Sequence, residues 1–178
     1  PVFLQHLNLL EQFPIKTMKP DSAEYIHIWV ETAKLAHQDK IAYYGDPDFV
    51  YVPMKGLLSK DYAKERVKLV DMNKASLEQR PGDPWKYDDP SKKPKAMVPT
   101  QLAMIPDHGT TGTRAIDIMG NMFTATPSGG WFTTSPIIPE LGFVLGTRVQ
   151  MFYLDPKNPK ALMGGKRPST SLTPTLVM

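Results

Sequence analysis

The stretch DHGTTGTRAIDIMGNMFTATPSGG, residues 107–130, holds the residues of this chain best suited to covalent chemistry. An internal threonine is a weak nucleophile, because its hydroxyl is barely acidic and needs a base within hydrogen-bond reach. A threonine at the start of a chain carries that base itself. Its α-amine, with a pKa of about 7.7–8.0, takes the hydroxyl proton near neutral pH and returns it to a leaving group. Making such a terminus from a longer chain requires the hydroxyl to attack the preceding carbonyl, and a small preceding residue lowers the steric barrier. Gly109 before Thr110 meets that condition. Taken alone, Gly-Thr-Thr before a strand also reads as an ordinary turn, so the surrounding residues must decide.

Other candidates carry less chemistry. His108 adjoins the same peptide bond and can relay a proton, but it also reads as a polar loop residue. His27 and His37 stand ten apart on one expected helix, whereas helical metal ligands fall three or four apart, so no metal is expected. Gly164 and Gly165 precede Lys166 and Arg167 without the G-x-x-x-x-G-K-[ST] spacing of a phosphate cradle. Asp46 and Asp48 flank Pro47, where turn capping is the commoner use of a carboxylate. With no cysteine, thiol nucleophiles and disulfides are excluded, and no cofactor is implied.

The elements that must position these residues change character along the chain. Phe3, Leu7, Leu10 and Phe13 form a helical stripe ended by Pro14. Asp21 is an N-cap candidate, followed by Tyr25, Ile28, Trp29, Thr32, Leu35 and Ala36 on one face of a helix running to about Tyr43. Gly45-Asp46-Pro47 forces a turn, and a third helix is expected from a Ser59 cap, burying Tyr62, Val67 and Val70. Residues 80–99 hold five prolines among charges, the composition of a solvated linker or processing loop. Beyond it, residues 113–118 and 122–126 predict a hairpin about Met119-Gly120-Asn121. Gly142–Leu145 and Val149–Tyr153 are further strand candidates. Helices followed by strands argue for an α+β layered fold.

Charge separates the same two stretches. Residues 1–109 hold fifteen Lys and Arg against fifteen Asp and Glu, and residues 110–178 hold six against three. The net charge of +3 is too thin for a nucleic-acid surface. Lys92, Lys93 and Lys95 beside Trp85 and Tyr87 would suit RNA, but Asp83, Asp88 and Asp89 cancel most of that charge. No run of about eighteen apolar residues marks a transmembrane segment. The start at Pro1 and the close on SLTPTLVM are expected to be cuts within something longer.

Three segments carry a resemblance. Residues 22–66, SAEYIHIWVETAKLAHQDKIAYYGDPDFVYVPMKGLLSKDYAKER, resemble the end of the large subunit of gamma-glutamyltransferases, including the D-P-D-F-V run at Asp46 to Val50. GTTGTRAIDIMGNMFTAT resembles the start of their small subunit, and GGKRPSTSLTPTLVM their Lys-Arg-Pro-x-Ser-Ser-x-Ser-Pro-Thr segment. All three stand in the family's order. The resemblance implies part of a four-layer αββα N-terminal-nucleophile hydrolase fold and a precursor that cleaves itself into a large and a small subunit. Residues 1–109 would then be the last part of the large-subunit region, with a processing loop at about 80–109, and residues 110–178 the first part of the small one. The implied activity is hydrolysis or transfer of γ-glutamyl or related acyl groups from small amides or peptides, including glutathione. Such a chain would be inactive as this fragment alone, and a periplasmic or secreted location is compatible with the family.

Carried over by position, cleavage falls between Gly109 and Thr110, with Thr110 the nucleophile. Ser128 matches a threonine that hydrogen-bonds the nucleophile, and Thr170 and Ser171 match a serine pair that holds the substrate carboxylate. Gly120 and Asn121 match the hairpin turn. Three positions depart from the pattern. Gly112 replaces a histidine or an aromatic-flanked residue, Gly130 replaces an asparagine, and residues 146–151, GTRVQM, replace a segment whose acid grips the substrate α-amine. Arg148 in that segment is suited to a carboxylate instead, or to an ion pair with Glu140 or Asp155. An acylase-like member is the leading expectation. A catalytically silent homologue acting as a binding or scaffold protein is the alternative.

Overall fold

The computed structural model describes residues 1–94, 110, 112–129, 135–170, 172 and 174–176. They divide into two compact units, one of Pro1–Gln101 with Lys157–Pro159 and one of Leu102–Pro156 with Lys160–Met178.

The first unit is helical: α1 spans Val2–Leu10, α2 Ala23–Tyr43, α3 Met54–Leu57 and α4 Lys60–Arg66. Helix α2 is capped by Ser22, not Asp21. The Ser22 hydroxyl accepts the Tyr25 N–H at 3.2 Å, while Asp21 sits in the left-handed region at φ 64°. Ser59 caps α4 in the same way through the Tyr62 N–H at 3.3 Å. Helix α4 is shorter than expected; it buries Tyr62, and Val67 and Val70 lie beyond it as partly buried flanks of the core.

Helix α1 presents a different face from the one its apolar stripe suggests. Phe3 and Leu7 are exposed, and Gln5, His6 and Leu9 are buried. The reason lies on the neighbouring helices. Leu9 joins Leu35, Ala36 and Ala63 in one core cluster, a burial worth about 1.5–3 kcal/mol. Gln5 and His6 enter because α2 offers them partners. Gln5 Nε2 donates to Asp39 Oδ2 at 2.6 Å, and His6 Nε2 lies 3.0 Å from Thr32 Oγ1. Trp29, expected on the buried face of α2, is 46% exposed and meets the His6 ring edge-on.

Asp39 is the polar centre of this unit and is fully buried. Besides Gln5, its carboxylate accepts the Tyr62 hydroxyl at 2.8 Å and the Gly82 N–H at 2.8 Å, and it pairs with Arg66 at 3.3 Å. Burial pushes the Asp39 carboxyl above its ordinary value, while the Arg66 charge pulls it back.

Residues 80–94 are therefore no solvated linker. Trp85 is buried against Tyr43 and stacks on Tyr51 at 5.9 Å. Pro84 fits because Gly56 has no side chain to strike its carbonyl. Asp88 accepts the Gly56 N–H at 2.9 Å, and Tyr87 donates to Glu65 at 2.9 Å. A tryptophan and paired carboxylates dock a segment whose prolines alone would suggest solvent.

The second unit carries the strands. β1 (Thr113–Ile116) pairs antiparallel with β2 (Met122–Ala125), and β3 (Ile137–Ile138) with β4 (Phe143–Val144). β1 stops two residues earlier than expected because Asp117 already belongs to the turn. Val149–Tyr153 is not a strand: Arg148–Met151 forms a 3-10 turn, closed by Gln150 N–H to the Thr147 carbonyl at 3.2 Å. Among the described residues only the last of that stretch pairs, Tyr153 in an isolated parallel bridge with Ala161. The chain is thus a mixture of helix and strand, and no helix among the described residues is long and apolar enough to cross a membrane.

Candidate active site

The β1–β2 hairpin is set by one carboxylate. Asp117 Oδ1 accepts the N–H groups of Met119 and Asn121, each at 2.9 Å, and Oδ2 accepts the Asn121 side-chain amide at 2.7 Å. Those bonds, the Asn121 amide first, hold the Asp117 carboxyl below the usual carboxylate range. Gly120, at φ 84°, supplies the left-handed turn residue. The register that results pairs Thr113 with Ala125, and the same register continued three pairs outward gives an antiparallel bridge between Thr110 and Ser128.

Across that bridge Thr110 Oγ1 and Ser128 Oγ lie 2.8 Å apart, the normal distance of a hydroxyl–hydroxyl bond in which either oxygen donates. Thr110 is exposed and Ser128 half-buried. An exposed hydroxyl held by a second hydroxyl suits attack on a carbonyl, since the partner orients the oxygen and shares its proton.

Two guanidinium groups lie on the residues flanking this pair. Arg148 packs against Gly129, where a methyl group would stand 3.3 Å from its Nε. Among the described residues its Nη2 is buried without a hydrogen-bond partner and Arg148 forms no ion pair, so the alternative pairing with Glu140 or Asp155 does not occur there. Arg114, overlooked in the sequence, lies over Gly112, where a methyl group would stand 3.2 Å from its Nη1. Gly112 immediately precedes β1 and Arg114 is the second residue of that strand, and this two-residue spacing was the available signal.

Thr170 Oγ1 accepts the Leu172 N–H at 3.2 Å, a local turn that leaves its proton available to donate. Gly109, His108, Gly130 and Ser171 lie outside the described residues. His27 Nε2 is 2.8 Å from the Asp71 carbonyl, 44 residues away, and Asp46 accepts the Asp48 N–H at 3.2 Å, both structural uses.

The model of the gamma-glutamyltranspeptidase family matches residues 1–178. The chain is 33% identical over 98% of its length to the glutathione hydrolase proenzyme of Bacillus subtilis (strain 168), and 29% identical over 98% to the acylase ACY 1 proenzyme of Pseudomonas sp. (strain SE83). It covers 30% and 28% of those two proteins. Among solved structures, LmbA2991HD is 39% identical with a TM-score of 0.74 over 96% of this chain and 28% of that one. The chain therefore spans less than a third of each relative, and it belongs to the gamma-glutamyltranspeptidase family of N-terminal-nucleophile hydrolases.

Proposed function

We propose that the full-length protein is an autoprocessing threonine amidohydrolase and acyltransferase, and that Thr110 is both its cleavage point and its nucleophile. The observation that carries this reading is the 2.8 Å contact between Thr110 Oγ1 and Ser128 Oγ, beside a Gly-Thr bond. In processing, Oγ1 attacks the Gly109 carbonyl, the C–N bond to Thr110 breaks, and an ester links Gly109 to Oγ1. The break frees the Thr110 α-amine, and water then hydrolyses the ester to the Gly109 carboxylate and the Thr110 hydroxyl. That amine becomes the base for turnover, in which Oγ1 takes an acyl group from an amide and passes it to water or to an acceptor amine.

Residues 1–109 would end the large subunit and residues 110–178 begin the small one, within a four-layer αββα fold completed by the rest of the precursor. The other segments of that precursor are the expected partners. Two substrate classes appear in the names of the relatives: glutathione-type γ-glutamyl amides and acyl amides. Arg148 favours an acyl group ending in a carboxylate, with Thr170 and Ser171 as further donors to it. Residues 146–151 hold no acid to pair with an α-ammonium, and an unpaired buried charge costs several kcal/mol.

A denaturing gel of the full-length protein and its Thr110→Ala variant tests the reading. Two bands for the first and one for the second support it. A single band for both supports the catalytically silent homologue, the reading that Gly112 and the loss of the amine-binding acid favour.

A further inference from the structure

We infer that Gly129 is the residue that sets the acyl-carboxylate subsite, by giving the Arg148 guanidinium a place against the backbone immediately after Ser128. The inference rests on the proposed role of Arg148 as carboxylate receptor and adds the residue that positions it. Gly129 adopts φ +83°, in the left-handed region that favours glycine, and the residues of the 3-10 turn carrying Arg148 lie against it. A methyl group on Gly129 would stand 3.3 Å from Arg148 Nε, 3.6 Å from Cζ and 3.4 Å from Thr147 Oγ1. The 3.3 Å approach is tighter than ordinary contact, so a side chain at this position requires the guanidinium to shift by a few tenths of an ångström.

The seat has a chemical consequence. Arg148 Nη2 is buried and has no acceptor among the described residues. A guanidinium donor kept from water without an acceptor is an unfavourable arrangement, which a carboxylate oxygen relieves by a charge-assisted hydrogen bond. Because Ser128 also holds Thr110 Oγ1, the chain from Thr110 through Ser128 and Gly129 to Arg148 couples the place of attack to the place where the far carboxylate is held. Gly129 is a positioning residue that acts through Arg148.

Gly120 provides the internal control. It has nearly the same angle, φ +84°, yet a side chain added there meets nothing within 4 Å. Gly120→Ala therefore carries the backbone strain of an L-residue in that region without the collision.

The test is calorimetric titration of the full-length protein with glutarate, with glutaramide as the uncharged control. Gly129→Ala should weaken glutarate binding by roughly tenfold or more, the equivalent of about one charge-assisted hydrogen bond, while Gly120→Ala stays within about twofold. Gly129→Asn, which tolerates left-handed backbone, should show the same loss and covers the case in which Gly129→Ala fails to fold. In an Arg148→Ala background Gly129→Ala should change nothing further. Unchanged glutarate binding in both Gly129 variants, an equal loss in Gly120→Ala, a further loss in the Arg148→Ala background, or no binding to the unaltered protein overturns the inference. Cleavage at Gly109 is scored on the same samples: its absence rejects the proposed function, while the titrations still decide the role of Gly129.

Discussion

The hydroxyls of Thr110 and Ser128 meet at 2.8 Å because the register fixed by the Asp117–Asn121 turn extends beyond the start of β1 and the end of β2. The pair is a consequence of turn length as much as of residue type. Ser128→Ala removes the partner and leaves the register, so processing of the full-length protein should slow by about 10²-fold. The half-time of cleavage reads this directly, and an unchanged half-time removes Ser128 from the site. A glycine inserted between Gly120 and Asn121 should be at least as damaging, since a one-residue slip turns every paired side chain to the other face.

Arg148 should decide the acyl donor. For the processed full-length protein, kcat/KM should favour a glutaryl anilide over a γ-glutamyl anilide by about tenfold or more, and Arg148→Asp should reverse the order. A tenfold preference of the unaltered protein for the γ-glutamyl compound would mean that an acid outside residues 146–151 receives the ammonium.

In the helical unit, magnitudes separate two kinds of ion pair. Asp39→Ala would strand Arg66, the Tyr62 hydroxyl, Gln5 and the Gly82 N–H in a closed interior, so a loss of about 3–5 kcal/mol is expected. Asp39→Asn keeps one acceptor and should lose less. The exposed Lys64–Asp61 pair, at 3.0 Å, should be worth at most about 1 kcal/mol on Asp61→Ala. Thermal unfolding of the three variants checks the order, and equal midpoints would contradict it.

The turn makes a pH prediction. Hydrogen bonds hold the Asp117 carboxyl below its ordinary value, so its stabilising contribution is complete above the unfolded-state pKa of about 3.9 and is lost as pH falls through the lower folded value. Asp117→Asn should lower the thermal midpoint at pH 7, and the difference from the unaltered protein should shrink below about pH 4. A gap that widens on acidification would have the wrong sign.

What was legible in the sequence was local. The β1–β2 hairpin and the Ser59 cap follow from side chains acting on backbone two to four residues away, and both were readable. The buried face of α1 was not, because Gln5 and His6 are polar and their partners Asp39 and Thr32 lie 34 and 26 residues away. Nor was the seating of Trp85, which depends on Gly56 accepting Pro84. At the candidate site Thr110 and Ser128 were named through the resemblance. Gly129 was not, because a glycine that matters for the side chain it leaves room for gives no signal until that side chain is placed. Arg148 was singled out as a change of charge, and its lack of an ion pair required the structure.

The central claim is that Thr110 becomes a chain terminus through its own hydroxyl, and N-terminal sequencing of the smaller chain of the processed full-length protein tests it most directly. The account predicts a chain beginning Thr-Thr-Gly-Thr-Arg-Ala at Thr110, its absence in Thr110→Ala, and its return in Thr110→Ser, which restores a hydroxyl at the same place. A smaller chain beginning at Thr111 or elsewhere, or cleavage that persists in Thr110→Ala, would contradict it.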